Sequence, residues 1–377
     1  MLPRVTKKQD LLEEITEIPV IFETSYLQSL DGLRAVSIIM VIAAHIGLSF
    51  KTYDHLLHPV ASLGVEFFFV ISGFLITTLL IKEKVKSGTI SLRNFYIRRF
   101  FRIIPVAYLY LTIILIANFV LKLNMSYYSI LLSFLFLRNF ALNAKGVNNL
   151  SAHYWSLSVE EQFYVVFPVI LKKNFRFFIF FLILMITFPV IVNFYEMSVQ
   201  YIAMDNEITK ILIRFFSQFQ AISIGALCSI LLFKKDIRLN FSSSFITLWT
   251  LFSFALILTF TFIETPFSGL LRIVRIMLFA SILILNLQVS NSLSFKFLNY
   301  KPIKFIGILS YSLYIWQQPF TYSLTFLKSQ HFFKPYQHNP LILTTVSLAS
   351  IIALFVVGYF SYFFYEKRFL LLKNKYK

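Results

Sequence analysis

This chain reads as all-α: a polytopic integral membrane helix bundle of about ten transmembrane helices, with both termini cytoplasmic. Three observations predict it. First, 58% of the 377 residues are hydrophobic, 46 are Phe and only 14% are charged, and the mean hydropathy is +0.74. No aqueous globule hides that much apolar surface, so lipid is the expected solvent. Second, apolar runs long enough to cross a bilayer recur near 29–50, 62–82, 103–121, 158–171, 176–195, 212–233, 242–262, 269–288, 304–326 and 341–365. Third, with the N-terminus inside, the inner segments hold 24 of the 35 Lys and Arg and the outer loops seven, the bias expected of cytoplasmic loops.

Residues 1–27 carry five acidic side chains ahead of the first span, unlike a cleavable signal, so no secretory leader is expected. They read as a cytoplasmic segment, 28–366 as one membrane domain and 367–377 as a basic cytoplasmic tail. The fourth span is short, and 127–142 reads as re-entrant or interfacial. The formal charge of +18 suits anionic lipid headgroups and needs no nucleic acid. A single Cys228 excludes an internal disulfide framework, and no His, Cys or acid spacing matches a metal site, so no metal is expected.

Within the first span, LDGLRAVSIIMVIAAH places Arg34 and His45 eleven residues apart. At ~100° and ~1.5 Å per residue they fall within about 20° of each other and roughly 16 Å apart along one helix face. Either group is costly in lipid, so the pair is a candidate functional site; Asp31 can pair with Arg34 at i,i+3. FYIRRFFRIIP (95–105) clusters Arg98, Arg99 and Arg102 at an inner helix end, where guanidinium forks suit phosphate oxygens. Pro105 fits the first turn of the third span. HYWSLSVEEQFY (153–164) opens the fourth span, with Ser156 or Ser158 as a cap and Glu160 and Glu161 in the first turn. One of these carboxylates is expected near His45, where it would orient the imidazole as a general base.

These motifs together, with GVEFFFVISGFLIT (64–77), GILSYSLYIWQQPF (307–320) and the terminal YEKRF (365–369), resemble the acyltransferase-three family of integral membrane acyltransferases, from about residue 26 to 370. The resemblance implies transfer of an acyl group, most often acetyl, from cytoplasmic acyl-CoA to a hydroxyl of a cell-surface carbohydrate such as lipopolysaccharide O-antigen, capsule or exopolysaccharide, in a bacterial inner membrane. It also implies Arg34, His45 and Glu160 or Glu161 as catalytic residues, Arg99 and Arg102 with Arg98 as the donor site, and Ser72 and Gly73 as the serine-glycine step of the second helix. Some relatives append a soluble hydrolase-like domain after the last span; none is expected here. Gln218 and Gln220 stand where many relatives carry an arginine and an aspartate, and Gln317 where histidine is frequent.

Acyl transfer from a thioester needs a base, an oxyanion donor and exclusion of water. His45, with an ordinary pKa of about 6.5, serves as base or as acyl carrier, and spacing leaves both open. Gly73 offers room for a pantetheine arm or packs a helix crossing. Trp155, Tyr164, Tyr314 and Trp316 are candidate surfaces for a sugar ring, although aromatics of this kind also simply pack a helix that Pro319 kinks. Arg272 and Arg275 pair most simply with Glu264, contact with an anionic acceptor being the other reading. His55, His58, His153, His331 and His338 read as solvated outer-loop residues. Beyond the bilayer, acyl-CoA as donor substrate and the carbohydrate acceptor, no resident cofactor is expected, and homo-oligomerisation is left open. The competing functions are a transporter or flippase of a lipid-linked or small anionic substrate, which the absence of an internal repeat disfavours, and a non-catalytic component of a polysaccharide machine.

Overall fold

The computed structural model describes residues 11–24, 26–48, 54–140, 150–198, 207–234, 241–263, 267–329 and 339–376, and among them it is helical without strands. The helices are α1 (Leu30–Leu48), α2 (Asp54–Ser87), α3 (Leu92–Leu121), α4 (Tyr127–Phe134), α5 (Tyr154–Lys173), α6 (Phe175–Ser198), α7 (Glu207–Lys234), α8 (Ser243–Phe262), α9 (Ser268–Leu287), α10 (Leu293–Leu298), α11 (Lys301–Ser329), α12 (Pro340–Phe360) and α13 (Lys367–Lys373), the last two joined by a π-helical turn at Ser361–Glu366. Among the described residues, seven helical runs are long and apolar enough to cross a membrane: those of α2, α3, α6, α7, α8, α9 and Leu341–Lys373. Helices α1, α5 and α11 coincide with three further apolar segments of the sequence. Of the stretch 127–142, the described residues 127–140 form the eight-residue α4 and a 3-10 turn at Arg138–Phe140, each too short to span.

Several helix starts differ from expectation. Ser91 caps α3, its hydroxyl accepting from the Asn94 amide, so the helix begins eleven residues before the expected span and Pro105 lies in its interior rather than its first turn. Helix α2 begins at Asp54, so His55 and His58 belong to its first turns and not to a loop. Between α2 and α3 only four residues remain, and the basic side chains expected in a loop over 82–103 sit on helix ends.

The chain forms two compact units. The first comprises residues 1–34, 65–90 and 163–304. In it α6 packs on α7, α8 on α9, and α9 on both α6 and α7. Small residues let α2 and α7 touch backbone to backbone: a Cβ on Gly73 would lie 1.8 Å from the Ile222 carbonyl oxygen, and one on Gly225 would lie 2.1 Å from that of Val70. The Thr78 and Ser229 hydroxyls bond across the same crossing at 2.8 Å. The space above Gly73 is thus filled by α7 and offers nothing to a pantetheine arm. The segment before α1 docks on helix ends, with Phe22 stacked on Phe233 at 4.5 Å, Lys84 paired to Glu14 at 2.7 Å and Lys234 bonded to the Glu13 carbonyl.

The second unit comprises 35–64, 91–162 and 305–377. Here Tyr154 on α5 and Tyr311 on α11 donate to the carbonyls of Ala107 and Ile103 on α3, at 2.7 and 2.6 Å. Trp316 donates to Ser361 at 3.0 Å and Ser312 to Glu366 at 2.7 Å, which fastens α11 to the π-helical turn. Helix α13 then folds back on α3.

Gly73→Ala and Gly225→Ala should each destabilise the purified protein by about 1–3 kcal/mol, the usual cost of overpacking. Thermal or SDS unfolding in detergent measures it. Unchanged midpoints would contradict the close α2–α7 approach.

Candidate functional site

Helix α1 is continuous through both Arg34 and His45. Arg34 pairs with Asp31 at 2.9 Å, the expected i,i+3 bridge, and Tyr26 donates to the other carboxylate oxygen at 2.9 Å. Asp31 and Arg34 belong to the first unit, whereas His45 belongs to the second. Its Nδ1 lies 2.8 Å from the Val41 carbonyl. A carbonyl only accepts, so Nδ1 carries the proton and the Nε2 lone pair is the basic site.

The second unit also holds the arginine trio. On α3, Arg98 and Arg102 are four residues apart and Arg99 and Arg102 three, so all three share one side of the helix. Arg98 Nη1 donates to the Tyr376 carbonyl at 2.8 Å, and the Arg99 guanidinium lies 5.8 Å from the Phe95 ring centroid. Arg102 lies within electrostatic reach of Glu366, a buried acid that the sequence reading passed over. The acid at the end of a long apolar run was the available signal.

Helix α5 begins at Tyr154, earlier than expected, so Ser156 and Ser158 are inside it and do not cap it. Their hydroxyls bond back to the His153 and Tyr154 carbonyls at 3.1 and 2.8 Å. Glu160 and Glu161 accordingly sit in the second turn. Glu161 lies within electrostatic reach of Arg99 and Glu160, and its Oε1 is buried without a hydrogen bond among the described residues. Gln162, next in the motif, exchanges amide bonds with Asn139 at 3.2 and 2.9 Å and donates to the Phe136 carbonyl at 2.9 Å. Arg138 is buried in that same short segment, its backbone amide donating to Ser158 Oγ at 3.1 Å.

His153 corrects the sequence reading most sharply. Expected as a solvated loop residue, it is 4% exposed, ringed by Tyr154 at 5.0 Å, Tyr110 at 5.4 Å and Tyr314 at 5.6 Å. Neither ring nitrogen makes a hydrogen bond of ordinary geometry. Burial pushes its pKa down to about 3, the neighbouring His45 pushes the same way, the Ile315 backbone opposes, and Arg138 adds to the lowering. His45 and His153 are therefore neighbours.

The aromatic candidates divide. Tyr314 donates to the His153 carbonyl at 3.1 Å and makes a short bond with Ser156 Oγ, and Trp316 is bonded to Ser361, so both hydrogen-bonding tips are occupied within the unit. Trp155 is half-buried in the first turn of α5. Tyr164 is buried in the first unit, as is Gly73, and Ser72 is half-buried there. Buried Gln317 has both amide atoms unpartnered, whereas Gln220 donates to the Ile186 carbonyl at 2.9 Å. Arg272 pairs with Glu66 at 2.7 Å; Glu264, the partner expected from sequence, lies outside the described residues, as do His331 and His338. Among the described residues no group of three His, Cys, Asp or Glu could hold a metal.

A folded-state pKa for His153 below that of the unfolded chain leaves stability intact above about pH 6.5, and loses it progressively as pH falls from there toward 3. His153→Phe should flatten that acid-side decline in thermal midpoint, and ¹⁵N resonances of labelled histidine should show His153 neutral throughout pH 5–8. A protonated His153 at pH 6 would contradict the buried environment.

The acyltransferase-three sequence profile, described as an acyltransferase domain, matches residues 27–360. A provisionally named O-acetyltransferase of Staphylococcus aureus (strain COL) is 38% identical over 156 residues, which is 39% of this chain and 25% of that protein. The O-acetyltransferase OatA of Staphylococcus aureus (strain NCTC 8325 / PS 47) is 28% identical over 335 residues, 81% of this chain and 52% of OatA. The chain thus spans about a quarter to a half of the length of these relatives. No solved structure matches it significantly. With the profile aligned over nearly its whole length, this chain belongs to the acyltransferase-three family of acyltransferase domains.

Proposed function

We propose that the protein is a membrane O-acetyltransferase that moves an acetyl group from cytoplasmic acyl-CoA to a hydroxyl of a cell-surface carbohydrate. The observation that carries the reading is one compact unit holding His45, the Arg98–Arg99–Arg102 trio, Glu160 and Glu161. Family membership and the O-acetyltransferase names of the relatives support the reaction class. The charge bias of the Lys and Arg supports ten spans, both termini in the cytoplasm and residence in the inner membrane.

In this reading the CoA phosphates lie on Arg99 and Arg102, with Arg98 beside them, where forked guanidinium donors give charge-assisted bonds. The thioester reaches His45 through the protein. The imidazole, held by Val41 through Nδ1, acts at Nε2 in one of two ways. As a base, it takes the acceptor hydroxyl proton while that oxygen attacks the thioester carbonyl; CoA leaves as thiolate and takes the proton back. As a carrier, Nε2 attacks the thioester first and CoA leaves as thiolate; the acceptor hydroxyl then displaces the imidazole from the acyl group and its proton neutralises the thiolate. Arg34, paired to Asp31, is a second charged group carried on α1. Glu160 and Glu161 tune the charge around Arg99.

Membranes containing wild type or His45→Ala, incubated with acetyl-labelled CoA and the producing cell's own glycan, test the proposal. Label should enter carbohydrate only with the wild type, His45→Ala losing about 10²–10⁴-fold in rate. Equal transfer by both would remove His45 from the reaction. Arg99→Ala and Arg102→Ala should raise KM for acetyl-CoA by about tenfold or more while changing kcat less.

A further inference from the structure

The first unit contains charged groups that the proposed reaction does not use. Arg272 and Arg275 sit in the first two turns of α9, three residues apart on one face. Opposite them is Glu66 of α2, buried at 6% exposure. Arg272 Nε meets Glu66 Oε1 at 2.7 Å, which accounts for one guanidinium and one carboxylate oxygen. Arg275 is left over. Its Nη2 stops 3.9 Å from Glu66 Oε2, beyond hydrogen-bond distance, and its hydrogen bond among the described residues is a long one of 3.4 Å to Thr261 Oγ1. Arg275 Nε and Glu66 Oε2 are both buried and bonded to nothing described.

A guanidinium has five N–H donors and is costly to keep in an apolar bundle. Were Arg275 present only to neutralise Glu66, its Nη2 would close the remaining gap and satisfy Oε2. Arg275 instead lies at the wall of a cavity of about 320 Å³ lined also by Arg272, by Ser217 and Gln220 from α7, and by Thr261 from α8. That volume lies at the small end of the range for ligand pockets, roughly 300–1,000 Å³. The charges among its described lining residues are the two cations, of which Arg272 is paired to Glu66, and the positive end of the α9 dipole adds to the excess.

We infer that this cavity is an oxyanion-binding site, in which Arg275, aided by Arg272, receives the carboxylate or phosphate of a ligand the size of one sugar ring or one lipid headgroup. The hydroxyl and amide of Ser217 and Gln220 give the ligand's polar body partners that a bare ion would not need. The inference stands on these residues alone and holds whether or not the acyltransferase reading does.

The full chain in phosphatidylcholine nanodiscs tests it, with glucuronate and glucose 1-phosphate as anionic probes and glucose as the neutral control, followed by calorimetry. A second arm uses nanodiscs doped with phosphatidylglycerol and native mass spectrometry of the retained lipid. Saturable binding of either anionic sugar but not glucose identifies a soluble or glycan-borne oxyanion; selective retention of phosphatidylglycerol identifies a headgroup. In either case Arg275→Gln should weaken binding by about tenfold or more. Ser217→Leu, which fills the cavity and leaves all three charges in place, should do the same and decides the matter if Arg275→Gln fails to fold. Anionic probes bound no better than glucose together with no lipid preference, or binding equal to wild type in folded Ser217→Leu, would overturn the site.

Discussion

Tyr154 and Tyr311 each reach out from their own helix to the backbone of α3, at the carbonyls of Ala107 and Ile103 on either side of Pro105. The constraint behind these bonds governs the whole molecule. A chain this apolar has no water to offer an internal hydroxyl, amide or carboxylate, so each is costly unless another part of the protein meets it. In the second unit those obligations supply the framework: Tyr110 donates to the Leu150 carbonyl, Trp316 to Ser361 and Ser312 to Glu366, and Asn139 exchanges bonds with Gln162. The arginine trio rides on α3 and the paired acids on α5, so the same bonds that satisfy buried polar groups also set the spacing of the charges.

In the first unit a different device performs the same task. Gly73 and Gly225 remove side chains from the α2–α7 crossing, and dispersion between backbones replaces them. Such a contact tolerates no added carbon, yet it contributes no chemistry. The chemically unusual feature of the unit is the guanidinium pair beside Glu66, where the polar groups are only partly satisfied and both arginines line a cavity. A well-met polar network reads as architecture, and an incompletely met one beside open space reads as a place where something binds.

Much of this was legible in one dimension. The apolar runs located the long helices because length and hydropathy are local properties, and the Asp31–Arg34 bridge followed from helical spacing alone. Helix starts were less legible. Ser91 captures the Asn94 amide and extends α3 by nearly three turns beyond the lipid-length run, because helix propensity continues past the point where hydrophobicity stops. The cap expected at Ser156 or Ser158 failed for a related reason. Their hydroxyls turn back to carbonyls inside a helix that starts at Tyr154, within an aromatic cluster invisible to local pattern.

By itself the sequence determined that the protein is helical and lipid-embedded, that a histidine and an arginine share α1, and that three arginines share one side of α3. Each follows from periodicity, composition and the expense of charge in hydrocarbon, which act within a single segment. Only the tertiary structure decided that His153 is buried beside His45, that Gly73 serves packing, that Glu366 joins the surroundings of Arg102, and that Arg272 takes Glu66 as its partner. Those outcomes depend on which segments, far apart in the chain, come to face each other. Burial and hydrogen-bond satisfaction are properties of that encounter, and no single helix carries them.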